Sequence, residues 1–215
     1  NFGDVSNFSF YFGHHITTIE GGMVCTNDER LYDYAKLFRS HGMTREASVQ
    51  LQEQYERSRP DLNPLFTFAV PGYNMRNQEL NAVLGLEQLK RLNYNCDKRR
   101  DNFKSWVDSL NSDKFFVDFH QNGNSNFALP LVLKEKDLEL FEKCCILLEE
   151  QNVEYRVGTA GGGNQARQPY LDKYNFIAHD LSNVDHIHDF GLYIGNHPEL
   201  VDEDIVNLCK ELNNL

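Results

Sequence analysis

The 215 residues lack several features that would mark a specialised class of protein. Apolar runs are short, and none approaches the roughly twenty residues that a membrane-spanning helix needs. Positively charged residues are outnumbered, since the chain has 21 Lys and Arg residues and 32 Asp and Glu residues, which gives a net charge of −11. This balance argues against non-specific binding to nucleic acid, and an anionic ligand would need a local pocket of arginines. No signal peptide is visible.

Cysteine is sparse and irregularly spaced. No C-x-x-C pair occurs, and the number of cysteines is odd, which predicts free thiols in a reducing compartment and hence a cytoplasmic protein. The histidines show no H-E-x-x-H spacing either, so we expect no metal site. The cysteines are Cys25, Cys96, Cys144, Cys145 and Cys209, and the histidines considered as ligands are His14, His15, His186, His188 and His197.

Aromatic and apolar residues are plentiful. Hydrophobic residues make up 40% of the chain, with fifteen Phe and ten Tyr, which indicates a globular protein. The chain begins at Asn1 and opens at once into strand-like sequence, so we expect a piece of a longer polypeptide.

Periodicity divides the chain into two parts. The first part is predicted to hold strands at 4–12 and 23–26, a helix at 28–40, a long functional loop at 43–71 with at most one short helix, and a helix or helix pair over 77–111. The second part is predicted to hold strands at 115–119, 127–133, 153–157 and 190–194, with helices at 136–151 and 201–212. The predicted domains are therefore 1–111 and 112–215.

Reactive side chains concentrate between the first two strands. The loop carries a hydroxyl at Ser9, imidazoles at His14 and His15, and a carboxylate at Glu20. His14 is a candidate general acid or base, because imidazole titrates near neutral pH. An ordinary hydrogen-bonding role in a polar loop fits the same residue.

A second candidate is the glycine run 161–163, which Arg156 and Arg167 bracket. Glycine-rich backbone next to arginines can bind an anion, although a simple mobile loop fits the same pattern. The residues alone lead to an α/β enzyme with a histidine-centred loop.

Two longer sequence segments allow a more specific interpretation. Residues 9–28, SFYFGHHITTIEGGMVCTND, and residues 72–89, GYNMRNQELNAVLGLEQL, resemble the two hallmark segments of the DegT/DnrJ/EryC/StrS family of pyridoxal-phosphate sugar aminotransferases. The resemblance covers nearly the whole chain and is strongest over 3–42 and 66–92. It implies an α/β fold, namely the C-terminal part of an aspartate-aminotransferase-type fold: the end of the large cofactor-binding domain with a long connecting helix, followed by a small α+β domain.

The resemblance also shows one position at which this chain differs from most members of the family. Most members have, five residues after the serine of the first segment, a lysine that binds the cofactor covalently; here that position is His14. Members with histidine there are sugar 3-dehydratases. The resemblance therefore implies removal of the 3-hydroxyl from a GDP-linked 4-keto-6-deoxyhexose in deoxysugar and O-antigen biosynthesis. The cofactor would be pyridoxal 5'-phosphate, converted to pyridoxamine 5'-phosphate by L-glutamate, with release of ammonia.

Further roles are implied in the same way. Ser9 and Asn74 match cofactor-phosphate ligands, and Asn74 reaches the partner's cofactor in the family, which implies a homodimer with shared active sites. His41, Arg45, Phe66 and Arg156 fall near the sugar nucleotide. Relatives with an iron–sulfur cluster bind it through cysteines between the two segments. Because residues 26–95 contain no cysteine, we expect no cluster.

The family's large domain begins well before the residue that aligns with Asn1. The segments that stack on the pyridine ring and face its nitrogen precede the printed sequence, so the chain by itself is expected to be inactive. A sugar-nucleotide aminotransferase and an inactive truncated paralogue that only dimerises are the alternatives.

Overall fold

The computed structural model describes residues 3–158, 163–174 and 179–215. The chain forms two compact units, 1–92 and 93–215. Across the described ranges, no helix is long and apolar enough to cross a membrane.

The first unit contains a β-hairpin followed by helices. Strands β1 and β2 pair antiparallel, with Val5 opposite Thr26 and Ser9 opposite Gly22. Two short 3-10 helices, Thr44–Glu46 and Pro64–Phe66, lie in the long loop. The regular elements are β1 (Val5–Ser9), β2 (Gly22–Thr26), α1 (Glu29–Arg39), α2 (Val49–Ser58) and α3 (Glu79–Leu89).

Helix α1 shows why these elements begin and end where they do. The Asp28 carboxylate accepts the N–H groups of Arg30 and Leu31 at 2.8 and 3.0 Å, which caps the first turn. At the other end His41 and Gly42 adopt positive φ angles of 60° and 77°, and the Gly42 N–H bonds the Leu37 carbonyl at 2.7 Å. This left-handed exit ends the helix close to residue 40, where the sequence pattern predicts its end.

The second unit is a three-stranded antiparallel sheet with helices, in the strand order β3–β5–β4. Two 3-10 helices, Gln165–Arg167 and Pro169–Lys173, precede the third helix of this unit. The regular elements are α4 (Leu92–Ser109), β3 (Ala128–Val132), α5 (Leu138–Glu150), β4 (Tyr155–Val157), α6 (Ser182–Phe190), β5 (Gly191–Gly195) and α7 (Asp202–Asn213).

The core of the second unit lies on one face of this sheet. Trp106 of α4 is fully buried, and its indole N–H donates to the Pro130 carbonyl of β3 at 2.7 Å. The alternating residues Leu129, Leu131 and Leu133 point into the same cluster. The outward positions of the strands are therefore available for other contacts.

Several predictions of elements are confirmed and one predicted strand is wrong. The sequence predicts either one helix or a pair of helices over 77–111. The structure has a pair, α3 and α4, which confirms the second alternative. The predicted strand at 115–119 does not form, because only Phe115 makes a β-bridge, to Leu133. Helix α6 was not predicted at all. The predicted glycine-run site at 161–163 lies mostly outside the described residues.

The two compact units meet between Leu92 and Asn93, whereas the domain division at residues 111 and 112 stays a prediction. Most of α4 belongs to the second unit, because Phe103, Trp106 and Val107 are buried in that unit's core. The interpretation of the first unit as the end of a cofactor-binding domain stays a prediction.

Candidate active site

The loop that carries His14 is a tightly bonded extension of the β1–β2 hairpin. The Phe10 N–H donates to the Gly21 carbonyl at 2.9 Å, and the Thr18 N–H donates to the Phe10 carbonyl at 2.8 Å. Near the tip, the His14 N–H reaches the Tyr11 carbonyl at 3.3 Å, directly after Gly13 with φ of 96°. His14 is exposed, so its imidazole is accessible to a ligand.

Helix α3 holds this loop from one side. The Asn81 side-chain amide donates two hydrogen bonds, to the Thr18 carbonyl at 2.7 Å and to the Glu20 carbonyl at 3.0 Å. One turn later, a methyl group added at Gly85 would lie 3.2 Å from the Thr18 side chain, which is 4% exposed. Asn81 and Gly85 thus form one face of α3, and the loop packs on that face.

Sequence reasoning missed the role of Asn81. The only signal is a polar amide within an otherwise apolar stretch of helix, LNAVLGL, and that pattern does not name its partner. We regard Asn81 as a positioning residue for the His14 loop.

Ser9 stands at the base of the same loop, as the last residue of β1. Its hydroxyl oxygen accepts the Tyr11 N–H at 3.3 Å, and the side chain is exposed. Since an accepting hydroxyl still has its own proton to donate, Ser9 can donate that proton to an anionic group.

His41 and Asn74 are brought together by the backbone. Ser40 and Asn74 form a β-bridge, and the His41 N–H donates to the Tyr73 carbonyl at 2.6 Å. The two segments approach closely because glycines face each other: a Cβ at Gly72 would lie 2.3 Å from the Gly42 nitrogen. Two residues that the sequence assigns to different ligands therefore occupy one corner of the first unit.

Arg45 and Phe66 also meet in the long loop. The guanidinium carbon of Arg45 lies 5.5 Å from the centre of the Phe66 ring, and Nη1 donates to the Leu65 carbonyl at 3.3 Å. This is a cation–π pair, and the ring remains 59% exposed. The Thr44 N–H, which donates to the Thr67 carbonyl at 2.9 Å, fixes the two loop segments side by side.

The same region carries a local surplus of positive charge. The Glu46 carboxylate is the single ion-pair partner that Arg39, Arg45 and Arg76 share in the described ranges, at 3.8, 3.9 and 3.4 Å. Three guanidinium groups around one carboxylate leave a net positive patch within a strongly acidic chain. A local cluster of arginines of this kind is what an anionic ligand requires on so acidic a chain.

Arg156 lies in the second unit, on β4, where it pairs in register with Tyr193. Its guanidinium is 3.8 Å from Glu154, and both side chains are largely exposed. The other arginine that brackets the glycine run, Arg167, is already engaged by Asp185 and Asp189 at 2.7 and 2.8 Å. Arg167 holds the pKa of the Asp189 carboxyl below its ordinary value.

Among the described residues, no three His, Cys, Asp or Glu side chains gather in a way that could hold a metal ion. The buried cysteines are equally unsuited to chemistry, because burial raises the pKa of the Cys144 and Cys209 thiols to about 12.

The α/β fold and the histidine-bearing hairpin loop indicate the protein family to which the chain belongs. The chain belongs to the DegT/DnrJ/EryC1/StrS aminotransferase family, whose model matches residues 1–213. The family resemblance read from the two sequence segments is thereby confirmed.

Individual members of the family give a more specific comparison. The chain is 32% identical over 217 residues to a GDP-4-keto-6-deoxy-D-mannose 3-dehydratase of Yersinia pseudotuberculosis, covering 98% of this chain and 54% of that protein. The chain thus spans about half the length of the curated relative it matches.

Two solved structures of a GDP-4-keto-6-deoxymannose 3-dehydratase superpose on it with a TM-score of 0.83 each, at 26% identity. Each match covers 99% of this chain and 55% of the other. One of those structures holds a trapped PLP–glutamate geminal diamine, and the other, a histidine-to-asparagine variant, holds GDP-perosamine. These matches confirm the expected fold, the C-terminal part of an aspartate-aminotransferase-type α/β fold.

Proposed function

We propose that this chain is part of a pyridoxal-phosphate-dependent sugar-nucleotide 3-dehydratase that acts on a GDP-linked 4-keto-6-deoxyhexose. The single observation that carries the proposal is His14, on an exposed and tightly anchored loop, at the position where most of the family has a cofactor-binding lysine. Similarity to named 3-dehydratases, both in sequence and in structure, supports the same assignment.

The residues present fit a bound pyridoxal phosphate in part. Ser9 offers a hydroxyl proton and Asn74 an exposed side-chain amide, and both are donors suited to a phosphate group. When bound, the cofactor serves as an electron sink for bonds broken at the attached carbon. Ser9 and Asn74 would orient it, and the Asn74 contact would be made across a homodimer.

His14 would supply the proton transfers. An imidazole can take up a proton at neutral pH and return it, so His14 can hold the proton with which the sugar's 3-hydroxyl leaves as water. Once the 3-hydroxyl has left, the nitrogen at C4 of the released sugar would sit next to a carbon–carbon double bond, so it can tautomerise to an imine that water hydrolyses to the 4-keto group and ammonia. His41, Arg45 and Phe66 would bind the sugar nucleotide, with the arginine surplus around Glu46 favouring its diphosphate.

The overall reaction balances in atoms and electrons. The sugar loses one oxygen as water and gains two hydrogens, which is a two-electron reduction. L-Glutamate supplies these electrons and is oxidised, with the water consumed, to 2-oxoglutarate and ammonia. One ammonia is therefore expected for each 3-deoxy sugar formed.

The test compares neighbouring histidines in the protein produced from the complete reading frame. With pyridoxal phosphate, glutamate and the GDP-linked keto sugar, ammonia and 3-deoxy product are expected in equal amounts. His14→Asn should abolish both, whereas the matched control His15→Asn should keep most of the activity. Dehydration that persists in His14→Asn would contradict the role given to His14.

A sugar-nucleotide aminotransferase is the second candidate, favoured by the family to which the chain belongs. It predicts a 4-amino sugar and no release of ammonia, so product analysis of the same reaction separates the two functions.

A further inference from the structure

Helix α1 carries a buried carboxylate that is bonded to the long loop. Asp33 is 8% exposed. Its Oδ1 accepts the Ser48 N–H at 2.7 Å and its Oδ2 accepts the Ser48 hydroxyl at 2.6 Å, so both carboxylate oxygens hold the same residue. A carboxylate is costly to remove from water unless it is hydrogen-bonded, and hydrogen bonds to an ionised group are the stronger ones. Asp33 therefore attaches this point of the loop firmly to α1.

Ser48 joins this attachment to helix α2. It is the N-terminal cap of α2, and its hydroxyl oxygen accepts the Leu51 N–H at 3.4 Å while the hydroxyl proton goes to Asp33. In the first turn of the same helix, the Gln52 side-chain amide donates to the Ala47 carbonyl at 2.8 Å. The chain just before α2 is thus bonded to two helices.

The other end of this short segment is bonded to the loop itself. The Thr44 backbone N–H and hydroxyl both donate to the Thr67 carbonyl, at 2.9 and 3.3 Å. Between the two attachments lies one 3-10 turn, Thr44–Glu46. Arg45 in this turn is exposed and Glu46 is half-buried, whereas Thr44 is buried. The backbone of the turn is fixed on both sides, and its charged side chains are the accessible part.

The turn sets the geometry of the arginine cluster. Glu46 pairs with Arg39 and Arg76, which come from other parts of the chain, at 3.8 and 3.4 Å. The place of the Glu46 carboxylate therefore influences where those two guanidinium groups stand, and the turn carries Arg45 directly. Cations that are ordered before a ligand arrives bind it more tightly, because the ordering entropy is already lost.

We propose that Asp33 is a positioning residue for binding of the substrate's diphosphate. By holding Ser48 it keeps the Thr44–Glu46 turn where Arg45 and the arginines around Glu46 can meet phosphate oxygens together. Asp33 acts through Ser48 and not by contact with the ligand. This inference rests on the proposed function, because it takes the substrate to be a sugar linked through a diphosphate.

The test begins with Asp33→Ala in the protein produced from the complete reading frame. Loss of both bonds to Ser48 leaves the binding-competent turn populated for only part of the time. The KM for the GDP-linked keto sugar should then rise roughly 5- to 30-fold, with little change in kcat, because the His14 loop is untouched. Asp33→Asn should recover most of the affinity, since its amide oxygen can still accept the Ser48 N–H and its amino group can donate to the Ser48 oxygen.

The matched control is Asp28→Ala, on the same side of the same helix end as the cap of α1. It also removes two hydrogen bonds, from the Arg30 and Leu31 N–H groups at 2.8 and 3.0 Å. Asp28→Ala should lower the free energy of unfolding and leave KM unchanged. If Asp33→Ala does not fold, Ser48→Ala serves for the same comparison, because it removes the hydroxyl that Asp33 Oδ2 accepts.

A double-mutant cycle separates positioning from general weakening of the fold. Isothermal titration calorimetry measures GDP affinity for Asp33→Ala, for Arg45→Ala and for the double variant. Since Asp33 acts through the turn that carries Arg45, the combined loss should be clearly smaller than the product of the two separate losses. Binding of guanosine, which lacks the phosphates, should be unchanged by Asp33→Ala.

Three results would overturn the inference: no GDP binding by the parent protein, an equal rise of KM in Asp28→Ala and Asp33→Ala, or losses that multiply fully in the double variant. Failure of the proposed function looks different. A protein that releases no ammonia with the keto sugar, yet loses GDP affinity in Asp33→Ala, would refute the dehydratase and keep the positioning role. A dehydratase whose KM and GDP affinity are unchanged in Asp33→Ala would refute the positioning role and keep the function.

Discussion

Replacing Asn81 by alanine should loosen the loop that carries His14. The change removes two hydrogen bonds, to the carbonyls of Thr18 and Glu20 at 2.7 and 3.0 Å. At about 0.5–1.5 kcal/mol each, their loss costs about 1–3 kcal/mol. The better helix propensity of alanine in α3 returns roughly 0.5 kcal/mol. Local opening of the loop should therefore become easier by about 0.5–2.5 kcal/mol.

Native-state hydrogen exchange measures this directly. The reporters are the Phe10 and Thr18 amides, which bond within the loop at 2.9 and 2.8 Å. A change of about 0.5–2.5 kcal/mol lowers their protection roughly 2- to 70-fold, since RT is about 0.6 kcal/mol. Asn81→Asp should be at least as damaging, because a carboxylate offers no donor to the two carbonyls.

The matched control is Gln88→Ala, which changes an amide on the same helix whose side chain makes no hydrogen bond in the described ranges. Protection of the loop amides should be unchanged in that variant, as should exchange of the β3 amides of the second unit in both variants. Equal protection of Phe10 and Thr18 in Asn81→Ala and in the parent would refute the claim that α3 anchors the loop.

Further outcomes follow from backbone contacts and thiol burial. Gly42→Ala should lower the free energy of unfolding by about 1–3 kcal/mol more than Gly123→Ala in urea titrations. Both glycines have positive φ, but only at Gly42 would the new methyl strike backbone, 1.8 Å from the Val70 carbonyl, so similar losses would refute the close approach. At pH 8, iodoacetamide should modify the half-buried Cys25 and spare Cys144, whose thiol pKa is raised to about 12, until the chain is denatured. Mass spectrometry reads out the order, and early alkylation of Cys144 in the folded chain would contradict its burial.

Elements with strong local signals could be predicted from the sequence. The sequence predicts helix α1 over 28–40 and the helix occupies Glu29–Arg39, because its acidic cap and the glycine that ends it act within a few residues. The hairpin around His14 was likewise recognisable from β-favouring residues on both sides of a polar loop.

Other elements depend on distant partners, which a linear pattern does not reveal. The stretch 115–119 is aromatic enough for a strand, yet its pairing stops at a single bridge, where the Phe116 N–H donates to the Val132 carbonyl at 2.8 Å. The Phe116 and Phe119 rings pack edge to face at 4.9 Å instead of continuing the ladder. Helix α6 was missed because His, Asp and Asn dominate it. It is supported by the segment before it, where the Asn164 N–H donates to His188 Nδ1 at 3.0 Å and the Asn164 amide donates to Asp185 at 2.7 Å.

The same distinction applies to the candidate site: some of its residues could be predicted from the sequence and others could not. The family resemblance points to His14, Ser9, Asn74, His41, Arg45 and Phe66. The structure shows that the backbone segments of His41 and Asn74 lie side by side and that Arg45 packs against the ring of Phe66. Asn81 and the carboxylate that Glu46 shares with Arg76 emerge only from the fold, because Asn81 bonds Thr18 and Glu46 pairs with Arg76 across long stretches of sequence.

The central claim is that histidine in place of lysine at position 14 directs the chemistry to dehydration. It is tested most directly by the ratio of 3-deoxy-4-keto sugar to 4-amino sugar formed by the parent protein and by His14→Lys, with cofactor, glutamate and the GDP-linked keto sugar supplied. We expect the parent to give the 3-deoxy product with one ammonia released per turnover, and His14→Lys to lose dehydration and to shift towards the 4-amino sugar. A parent that yields only the 4-amino sugar, or a His14→Lys variant that dehydrates as fast as the parent, would contradict the account.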